Sequence, residues 1–195
     1  MSYARHGKRL LDLVGGAALL LFMLPVMTLV ALAVLAVLGR PLLHRDLRAG
    51  QGGRPFMLVK FRSMHLGSGP DSERLNRFGR VLRASGLDEL PQLVHVLSGW
   101  MSLVGPRPLP VAYTARLDTA GRARLVAKPG LTGAVQVGGR NALPWEERFR
   151  RDAAYAVAPT LAGDLAILLR TVPALLGRGA TSPGHATSPA PFTQG

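Results

Sequence analysis

The chain begins with a long apolar stretch that no charge interrupts. From Leu13 to Leu38, 26 consecutive residues are uncharged, and most of them are Leu, Val, Ala or Met. As a helix this stretch would be about 39 Å long, which is enough to cross the hydrocarbon core of a membrane. Pro25 lies near its middle, where it removes a backbone hydrogen bond and favours a kink. The pattern therefore predicts a membrane helix that is disturbed at Pro25.

Basic residues flank this helix on both sides, which bears on its topology. Lysine and arginine near a membrane helix favour the cytoplasmic side, so both ends are expected there. A re-entrant helix bent at Pro25 satisfies this expectation. A single spanning helix with a tolerated proline is the commoner arrangement in general. The residues alone leave the two topologies open.

The rest of the chain alternates between short extended and helical patterns. Residues 55–64 alternate polar and apolar positions and predict a strand, with Lys60 and Arg62 on one face. Residues 41–54 are basic and Gly-rich and predict a connector. The stretches "VGPRPLP" and "KPGLTGAVQVGGRN" predict structured loops. Local patterns predict helices over residues 88–97, 145–157 and 161–176. Residues 74–83 carry arginines at three-residue steps, which would form a basic strip if the segment is helical.

These elements predict an α+β, mainly helical fold in three parts. Residues 1–40 contain the membrane helix, and residues 41–176 form one small domain. Residues 177–195 nearly repeat a Ser/Thr/Pro-containing motif and are expected to be a disordered tail.

Composition narrows the chemistry. The chain has 24 Lys and Arg against 11 Asp and Glu, a formal net charge of +13, which implies an acidic or phosphorylated partner. Nucleic acid, anionic lipid and nucleotide all qualify. There is no cysteine, which excludes disulfides and thiolate nucleophiles. The five histidines are far apart and form no metal-ligand motif.

The adjacent carboxylates Asp88 and Glu89 are unusual in so basic a chain. They lie just before Pro91, which a helix tolerates only in its first turn, so a helix should begin close to Asp88. There Asp88 would be a favoured N-cap, and Glu89 would suit the helix dipole. A helix N-terminus also attracts phosphate, and an ionised aspartate beside a phosphoryl group can act as a nucleophile. Cap and catalytic pair both remain open.

Several basic residues lie in settings that suit phosphate binding. In "GPRP", two prolines restrict the backbone around Arg107, whose guanidinium can bind phosphate through two hydrogen bonds. Lys60 and Arg62 share a strand face, and Arg140 follows two glycines in "GGRN". Taken singly, an exposed turn or a solvated strand face explains each of them at least as well.

Taken together and in order, the motifs resemble the monotopic phosphoglycosyl transferases of the bacterial sugar transferase family. The resemblance covers about residues 8–172 and rests on "KRLLD", "RAGQGGRPF", "KFRSM", "RFGRVLR", "LDELPQL", "MSLVGPRPL", "KPGLTG", "QVGGRN" and "WEERF". It implies transfer of a phosphosugar from a UDP-sugar to a polyprenyl (undecaprenyl) phosphate carrier. Such a reaction is the first membrane step of glycan or exopolysaccharide assembly.

The resemblance also implies roles for individual residues. Asp88 is expected to attack the sugar-linked phosphate, to expel UMP and to carry the phosphosugar as an aspartyl intermediate. Glu89 is expected to orient the site or to assist proton or metal handling. Mg²⁺ is expected as a cofactor that bridges Asp88 and the diphosphate. The implied phosphate and nucleotide contacts are Lys60, Arg62, Arg80, Arg107 and Arg140.

The family's topology favours the re-entrant helix bent at Pro25. It implies a membrane-associated catalytic domain on the cytoplasmic face of the inner bacterial membrane, in contact with membrane lipid, and it is compatible with a homodimer. No nucleic-acid partner is expected, and the chain resembles the minimal catalytic form. It departs from the family pattern at Leu24, where Ser is usual, which removes a hydroxyl near the bend. Trp100 and Ala134 also depart, in place of a polar or charged residue and a tryptophan.

Three other functions compete with this interpretation. A basic nucleic-acid-binding protein with a membrane anchor would explain the charge, but not the apolar stretch as part of its function. A non-catalytic membrane adaptor would use the basic surface to hold anionic lipid. An ordinary glycosyltransferase would release UDP instead of UMP.

Overall fold

The computed structural model of the protein describes residues 3–139 and 143–176. Within these ranges the chain is mainly helical and contains two small two-stranded sheets. This confirms the α+β, mainly helical fold class. Two predictions, the phosphate contact of Arg140 and the disordered tail at 177–195, lie outside the described residues.

The first helix, α1 (Lys8–Leu38), follows a π-helical turn at Tyr3–Gly7 and runs for 31 residues. Its sequence is apolar on nearly all sides, and it is long and apolar enough to cross a membrane. It ends at Gly39, which has a φ of 76° and whose N–H donates to two carbonyls of the last turn. The helix continues through Pro25, and the predicted re-entrant bend stays a prediction.

One stripe of α1 packs against the rest of the protein along both halves of the helix. In the first half, Gly16 lies so close to Val96 that an added Cβ would be 3.2 Å from the valine Cγ1. In the second half, Val30 and Val34 are buried in a cluster with Phe61. Both halves therefore contact the same domain. The opposite stripe is exposed and apolar, and it includes Leu10, Leu13, Val14, Leu21, Phe22, Leu29 and Leu32.

Two antiparallel strands, β1 (Leu43–Ala49) and β2 (Pro55–Phe61), form a hairpin after α1. Gly52 and Gly53 lie in the connecting turn with φ angles of 65° and 77°, which side chains larger than hydrogen disfavour. The hairpin places two strands along one wall of the site described below.

The hairpin confirms one prediction and corrects another. The strand predicted over 55–64 is confirmed as β2 but ends at Phe61, so Arg62 lies beyond it. The connector predicted over 41–54 is wrong, because most of it is β1 and the turn. The stretch "LHRDLRA" alternates only in part, because Arg45 lies between Leu43 and Leu47 on the same face, and both leucines are exposed. Its register sets His44 opposite Lys60. The basic, Gly-rich composition concealed this partial alternation.

Two short helices, α2 (Asp71–Arg74) and α3 (Arg77–Ser85), follow the hairpin. Asn76 caps α3, because its side-chain oxygen accepts a hydrogen bond of 2.8 Å from the N–H of Gly79. The basic residues at three-residue steps, Arg77, Arg80 and Arg83, therefore do lie on a helix, which begins at Arg77.

The chain then reaches the acidic pair through a tight turn. Gly86 adopts a left-handed conformation with a φ of 73° and begins a 3₁₀ helix at Leu87–Gln92. This 3₁₀ helix passes directly into α4 (Leu93–Ser98). The helical segment predicted over 88–97 is confirmed, with its first part wound as a 3₁₀ helix.

A short parallel sheet and the remaining helices complete the described chain. Strand β3 (Ser102–Val104) pairs with β4 (Gly130–Thr132), so each of the two predicted loop regions adjoins or contains a strand. The helices are α5 (Thr119–Ala123), α6 (Ala134–Val137), α7 (Trp145–Val157) and α8 (Leu161–Leu176), with 3₁₀ turns at Val111–Arg116 and Arg124–Val126. Helices α7 and α8 confirm the helices predicted over the same residues.

A buried polar network joins the start of α1 to α8. The Nζ of Lys8 lies 2.9 Å from the carboxylate of Asp164, which is fully buried and also accepts a hydrogen bond of 2.7 Å from Tyr155. Nearby, Asp12 accepts a hydrogen bond of 2.8 Å from the hydroxyl of Ser102. Because these buried carboxylates have partners from several elements, they fix the first half of α1 against the domain.

Candidate active site

A pocket of about 490 Å³ opens between the β1–β2 hairpin, the 3₁₀ helix after Gly86, the loop after β3, and α7. Its wall carries both charged and aromatic side chains, an arrangement typical of sites for polar small molecules. The residues that line it include His44, Asp46, Arg48, Lys60, Arg83, Asp88, Glu89, Arg107, Tyr113, Arg124, Trp145, Arg148 and Asp152.

Asp88 lies at the wall of this pocket and is only 4% exposed. Burial, followed by the negative charge of Glu89, raises the pKa of Asp88 to about 6, although nearby cations oppose the shift. The N-cap of the 3₁₀ helix is Gly86, and no side chain in the described part of the chain caps it. The helix-cap interpretation of Asp88 is therefore wrong. The residue is a buried carboxylate at the edge of a cavity.

Glu89, next to it, has a dedicated cation. Arg107 Nη2 lies 2.6 Å from Glu89 Oε1, and Nη1 lies 3.4 Å from Oε2, so the guanidinium faces both carboxylate oxygens. The charge of Glu89 raises the pKa of Arg107. The pair brings together two residues that the sequence placed at the site, and it leaves Asp88 as the carboxylate without such a partner.

Two further cations act on Asp88. Lys60 extends from β2, and burial lowers its pKa while Asp88 favours its charged form. Arg83 donates from Nε to the hydroxyl of Ser63 at 2.8 Å, and Asp88 likewise favours its charged form. Lys60 was a predicted site residue and Arg83 was not. The signal for Arg83 was present, because it is the last of three arginines at three-residue steps on α3.

Two predicted phosphate contacts, Arg62 and Arg80, direct their guanidinium groups to backbone carbonyls. The guanidinium of Arg62 borders the pocket, but it donates to the backbone carbonyls of Pro41, Leu38 and Gly39, where it caps the end of α1. Arg80 is exposed on α3 and donates to the carbonyl of the residue five positions earlier. The structure does not bring either guanidinium into the Asp88 cluster, and their phosphate contacts stay predictions.

Aromatic side chains form another wall of the pocket. The rings of Tyr113 and Trp145 meet edge to face with centroids 6.3 Å apart. The guanidinium of Arg148 lies over the Trp145 ring, 4.6 Å from its centroid. An aromatic face beside a cation is a surface on which a nucleobase can stack. The sequence showed Trp145 only as part of a helix face, because Tyr113 is distant along the chain.

The acidic pair Asp88 and Glu89 fits a magnesium ion only if a bound substrate supplies further oxygen ligands. Among the described residues, no cluster of three or more His, Asp or Glu side chains is placed to hold a metal. Mg²⁺ is commonly bound by one or two carboxylates together with substrate phosphates. Since Arg107 engages Glu89, Asp88 is the carboxylate that would hold the ion. The residues therefore fit an ion shared with a bound diphosphate.

Comparisons with known proteins show the family of the chain. A family model described as "Bacterial sugar transferase" matches residues 3–178. The chain is 44% identical over 186 residues to a UDP-glucose:undecaprenyl-phosphate glucose-1-phosphate transferase of Caulobacter vibrioides, covering 87% of this chain and 69% of that protein. It is 40% identical to the uncharacterized sugar transferase EpsL of Bacillus subtilis, covering 93% of each. It is 35% identical to a UDP-galactose-lipid carrier transferase of Erwinia amylovora, covering 90% of this chain and 41% of that protein. The chain belongs to the bacterial sugar transferase family and is an enzyme of that family.

Proposed function

We propose that the protein transfers a sugar phosphate from a UDP-sugar to a polyprenyl phosphate carrier through a covalent intermediate on Asp88. The observation that carries this proposal is a buried Asp88 at the wall of a cationic pocket, beside a Glu89 that already has its own cation. A desolvated carboxylate costs folding free energy, and a protein that only binds lipid gains nothing from it. The activities named for the relatives in Caulobacter and Erwinia support the substrate classes.

The reaction consists of two displacements at one phosphorus atom. A carboxylate oxygen of Asp88 attacks the phosphorus that bears the sugar, and the bond from that phosphorus to the bridging oxygen of UMP breaks. UMP leaves with the electron pair of that bond. An oxygen of the polyprenyl phosphate then attacks the same phosphorus, and the bond to Asp88 breaks. The products are UMP, polyprenyl diphosphate-sugar and a regenerated carboxylate, so atoms and charge balance.

The remaining side chains prepare this exchange. Lys60 and Arg83 offset the negative charge that accumulates when a carboxylate approaches a diphosphate. Arg107 holds Glu89, so the second carboxylate does not repel the substrate at full strength. A magnesium ion held by Asp88 and the diphosphate would supply further neutralisation of the leaving UMP.

The aromatic wall suits the uridine end of the donor. Stacking on the Trp145 ring, over which the guanidinium of Arg148 also lies, would hold the base. The diphosphate would then lie toward Lys60 and Arg83. The two walls of one pocket thus suit the base and the diphosphate of a nucleotide sugar.

Contacts at both ends of α1 support a re-entrant membrane helix. Lys8 and Asp12 tie its start to the domain, and Arg62 ties its last carbonyls to β2. In a single spanning helix, the two ends lie on opposite sides of the bilayer. Both ends of α1 contact the same domain, which lies on one side, so both ends must lie on that side as well. Thr28 Oγ1 donates to the carbonyl of Leu24 at 3.0 Å, a bond that accompanies bending in helices. The basic flanks would then lie together at the cytoplasmic face of the inner membrane.

The topology is tested with single cysteines, since the chain has none of its own. His6→Cys and Arg45→Cys place a thiol before and after α1, both at exposed positions. In sealed inside-out vesicles, a membrane-impermeant maleimide is expected to label both variants. In right-side-out vesicles neither should react before the membrane is opened. Labelling from opposite sides would establish a single spanning helix instead.

The reaction is tested by nucleotide release from a panel of UDP-sugars with Mg²⁺ and polyprenyl phosphate. UMP is expected with one or a few of the sugars, and none from Asp88→Asn. Glu146→Gln, which removes one exposed carboxylate outside the site, serves as the matched control and should release UMP as the unmodified enzyme does. Intact-protein mass spectrometry after incubation without the carrier should show one added phosphosugar.

The alternatives make different predictions in the same assay. UDP in place of UMP would establish ordinary glycosyl transfer. No nucleotide from any sugar, with folded protein, would overturn the proposal.

A further inference from the structure

We propose that Arg124 and Arg48 are positioning residues, which hold the loop that carries Arg107 so that its guanidinium meets Glu89. This inference rests on the proposed function, because it assigns a use to side chains around the same site. Neither residue is among those that the sequence or the resemblance pointed to as part of the site. Both act through the backbone carbonyls of the loop "GPRPLP", at residues 105–110.

The composition of this loop creates an unusual demand for hydrogen-bond donors. Its three prolines have no N–H, whereas each of its residues has a carbonyl that accepts. Four successive carbonyls are in fact held. The carbonyl of Pro106 accepts from the N–H of Gly130 at 2.9 Å, and that of Leu109 accepts from the N–H of Ala49 at 2.8 Å. Neighbouring strands therefore fix the two outer carbonyls.

The two inner carbonyls, those of Arg107 and Pro108, accept hydrogen bonds from arginine side chains. Arg124 Nη2 donates to the carbonyl of Arg107 at 2.7 Å. Arg48 Nη1 donates to the carbonyl of Pro108 at 3.3 Å. These bonds restrain the backbone directly at the residue whose side chain engages Glu89.

Each of these arginines is itself fixed by an aspartate. Arg124 and Asp152 are both almost fully buried, and Nε and Nη2 of Arg124 lie 3.0 and 2.7 Å from one carboxylate oxygen. Arg48 donates through Nε to Asp46 at 2.9 Å. Asp152 lies on α7 and Asp46 on β1, so the two arginines connect the loop to two separate elements of the pocket wall.

Stability alone gives a poor account of the buried pair. A buried ion pair contributes little net stability compared with apolar residues of similar volume, although losing one partner alone is costly. The pair at Arg124 has a guanidinium hydrogen left to donate to the Arg107 carbonyl, which an apolar pair lacks. Its distinctive effect is therefore on where Arg107 lies.

The test removes the pair without leaving a buried charge. Arg124→Met with Asp152→Leu replaces the buried ion pair by apolar side chains of similar volume. Arg48→Gln removes the second guanidinium that holds the loop, at a partly exposed position. Glu147→Gln with Arg150→Gln, which removes the ion pairs of Glu147 with Arg150 and Arg151 at the surface of α7, is the matched control. We expect the buried double variant to lower kcat/KM for UMP release about 30-fold and Arg48→Gln about 5-fold, with melting temperatures within a few degrees of the unmodified enzyme.

A double-mutant cycle separates positioning from general damage. In the Arg107→Gln background, the same substitutions are expected to lower kcat/KM less than about 3-fold, because they act through Arg107. Equal losses in both backgrounds would overturn the inference, and so would an unchanged rate in the buried double variant.

Hydrogen exchange gives a readout that does not depend on the reaction. Amides over residues 105–113 should exchange faster in the buried double variant and in Arg48→Gln, and at the unmodified rate in the exposed control. Unchanged exchange in both loop variants would overturn the inference by itself. If the unmodified enzyme releases no UMP but the loop responds as expected, the proposed function fails and the structural role of the two arginines stands.

Discussion

Two buried aspartates show what separates a structural carboxylate from a reactive one in this protein. Asp164 and Asp88 are 0% and 4% exposed, so burial does not distinguish them. Asp164 accepts a hydrogen bond from Tyr155 and pairs with Lys8 at 2.9 Å. Among the described residues, Asp88 has cations nearby but no hydrogen bond that stabilises its charge. The difference lies in the partners.

The comparison teaches how a site can be recognised without a ligand. A buried carboxylate whose oxygens are all engaged stabilises the fold, because its desolvation is compensated. A buried carboxylate without such bonds costs free energy, and its lone pairs face the cavity instead. Asp164 ties α1 to the domain, whereas Asp88 is available to a substrate or to an ion bound with it.

The largest expected effect comes from Asp88→Asn. Without a carboxylate nucleophile, turnover should fall at least about 10³-fold, as for other enzymes that lose a covalent nucleophile. The same change should stabilise the protein by about 1–3 kcal/mol, because it removes a desolvated charge and its repulsion by Glu89. UMP release and thermal unfolding in one detergent measure the two quantities. A variant that is inactive and also less stable would contradict the contrast with Asp164.

The opposite balance is expected for Asp164→Asn. Lys8 would then keep only its longer contact with Asp12, at 3.5 Å, and the loss of one member of a buried pair costs about 3–5 kcal/mol. Turnover per folded molecule should stay within about 3-fold, since Asp164 does not line the pocket. Denaturation of the variant, compared with Lys8→Met combined with Asp164→Leu, checks the cause. The double variant should recover much of the loss, and a failure to recover would place the effect elsewhere.

The next effect is a pH dependence set by Asp88. Its carboxylate must be ionised to attack, so kcat/KM should fall about tenfold for each pH unit below its pKa of about 6. Stability should change in the other direction. The folded pKa is above the usual value of 3.8, so the native state binds more protons, and the contribution of Asp88 to stability is lost as pH rises from about 4 through 6.

Glu89→Gln sharpens this pH prediction. The charge of Glu89 is the second cause of the raised pKa, after burial, so its removal should move the midpoint of the kcat/KM profile to lower pH. Asp164→Asn should leave the midpoint where it is. A midpoint that does not respond to Glu89→Gln would assign the titration to a group other than Asp88.

The sequence predicted what depends on local patterns. Helices α7 and α8 follow from apolar spacing, and the prolines and acidic pair pointed to Arg107 and Glu89, which do meet in space. Strand β1 was missed because its basic composition outweighed its partial alternation. Helix α1 was predicted from an apolar stretch, whereas the bend predicted at Pro25 would depend on contacts with a membrane and with the domain, which no local pattern specifies.

Long-range partners explain the other differences. Arg62 and Arg83 both line the pocket, yet the guanidinium of Arg62 donates to the last carbonyls of α1, whereas Arg83 lies close enough to Asp88 to interact with its charge. Arg124 and Asp152 are 28 residues apart in the sequence, and nothing in either neighbourhood marks them as a buried pair. Which cation meets which carboxylate is decided by packing of separate elements and cannot be read from spacing.

The smallest effect expected here concerns Trp145, on the binding wall instead of at the reacting carboxylate. Base stacking on an aromatic side chain is worth about 1–3 kcal/mol, so Trp145→Ala should raise KM for the UDP-sugar about 5- to 100-fold and change kcat less than about 3-fold. Trp145→Phe should keep most of the affinity. Trp100→Ala, which removes a half-exposed tryptophan outside the pocket, is the control and should leave this KM unchanged. A fall in kcat at constant KM would instead give Trp145 a part in the chemical step, and the division between a reacting wall and a binding wall would have to be abandoned.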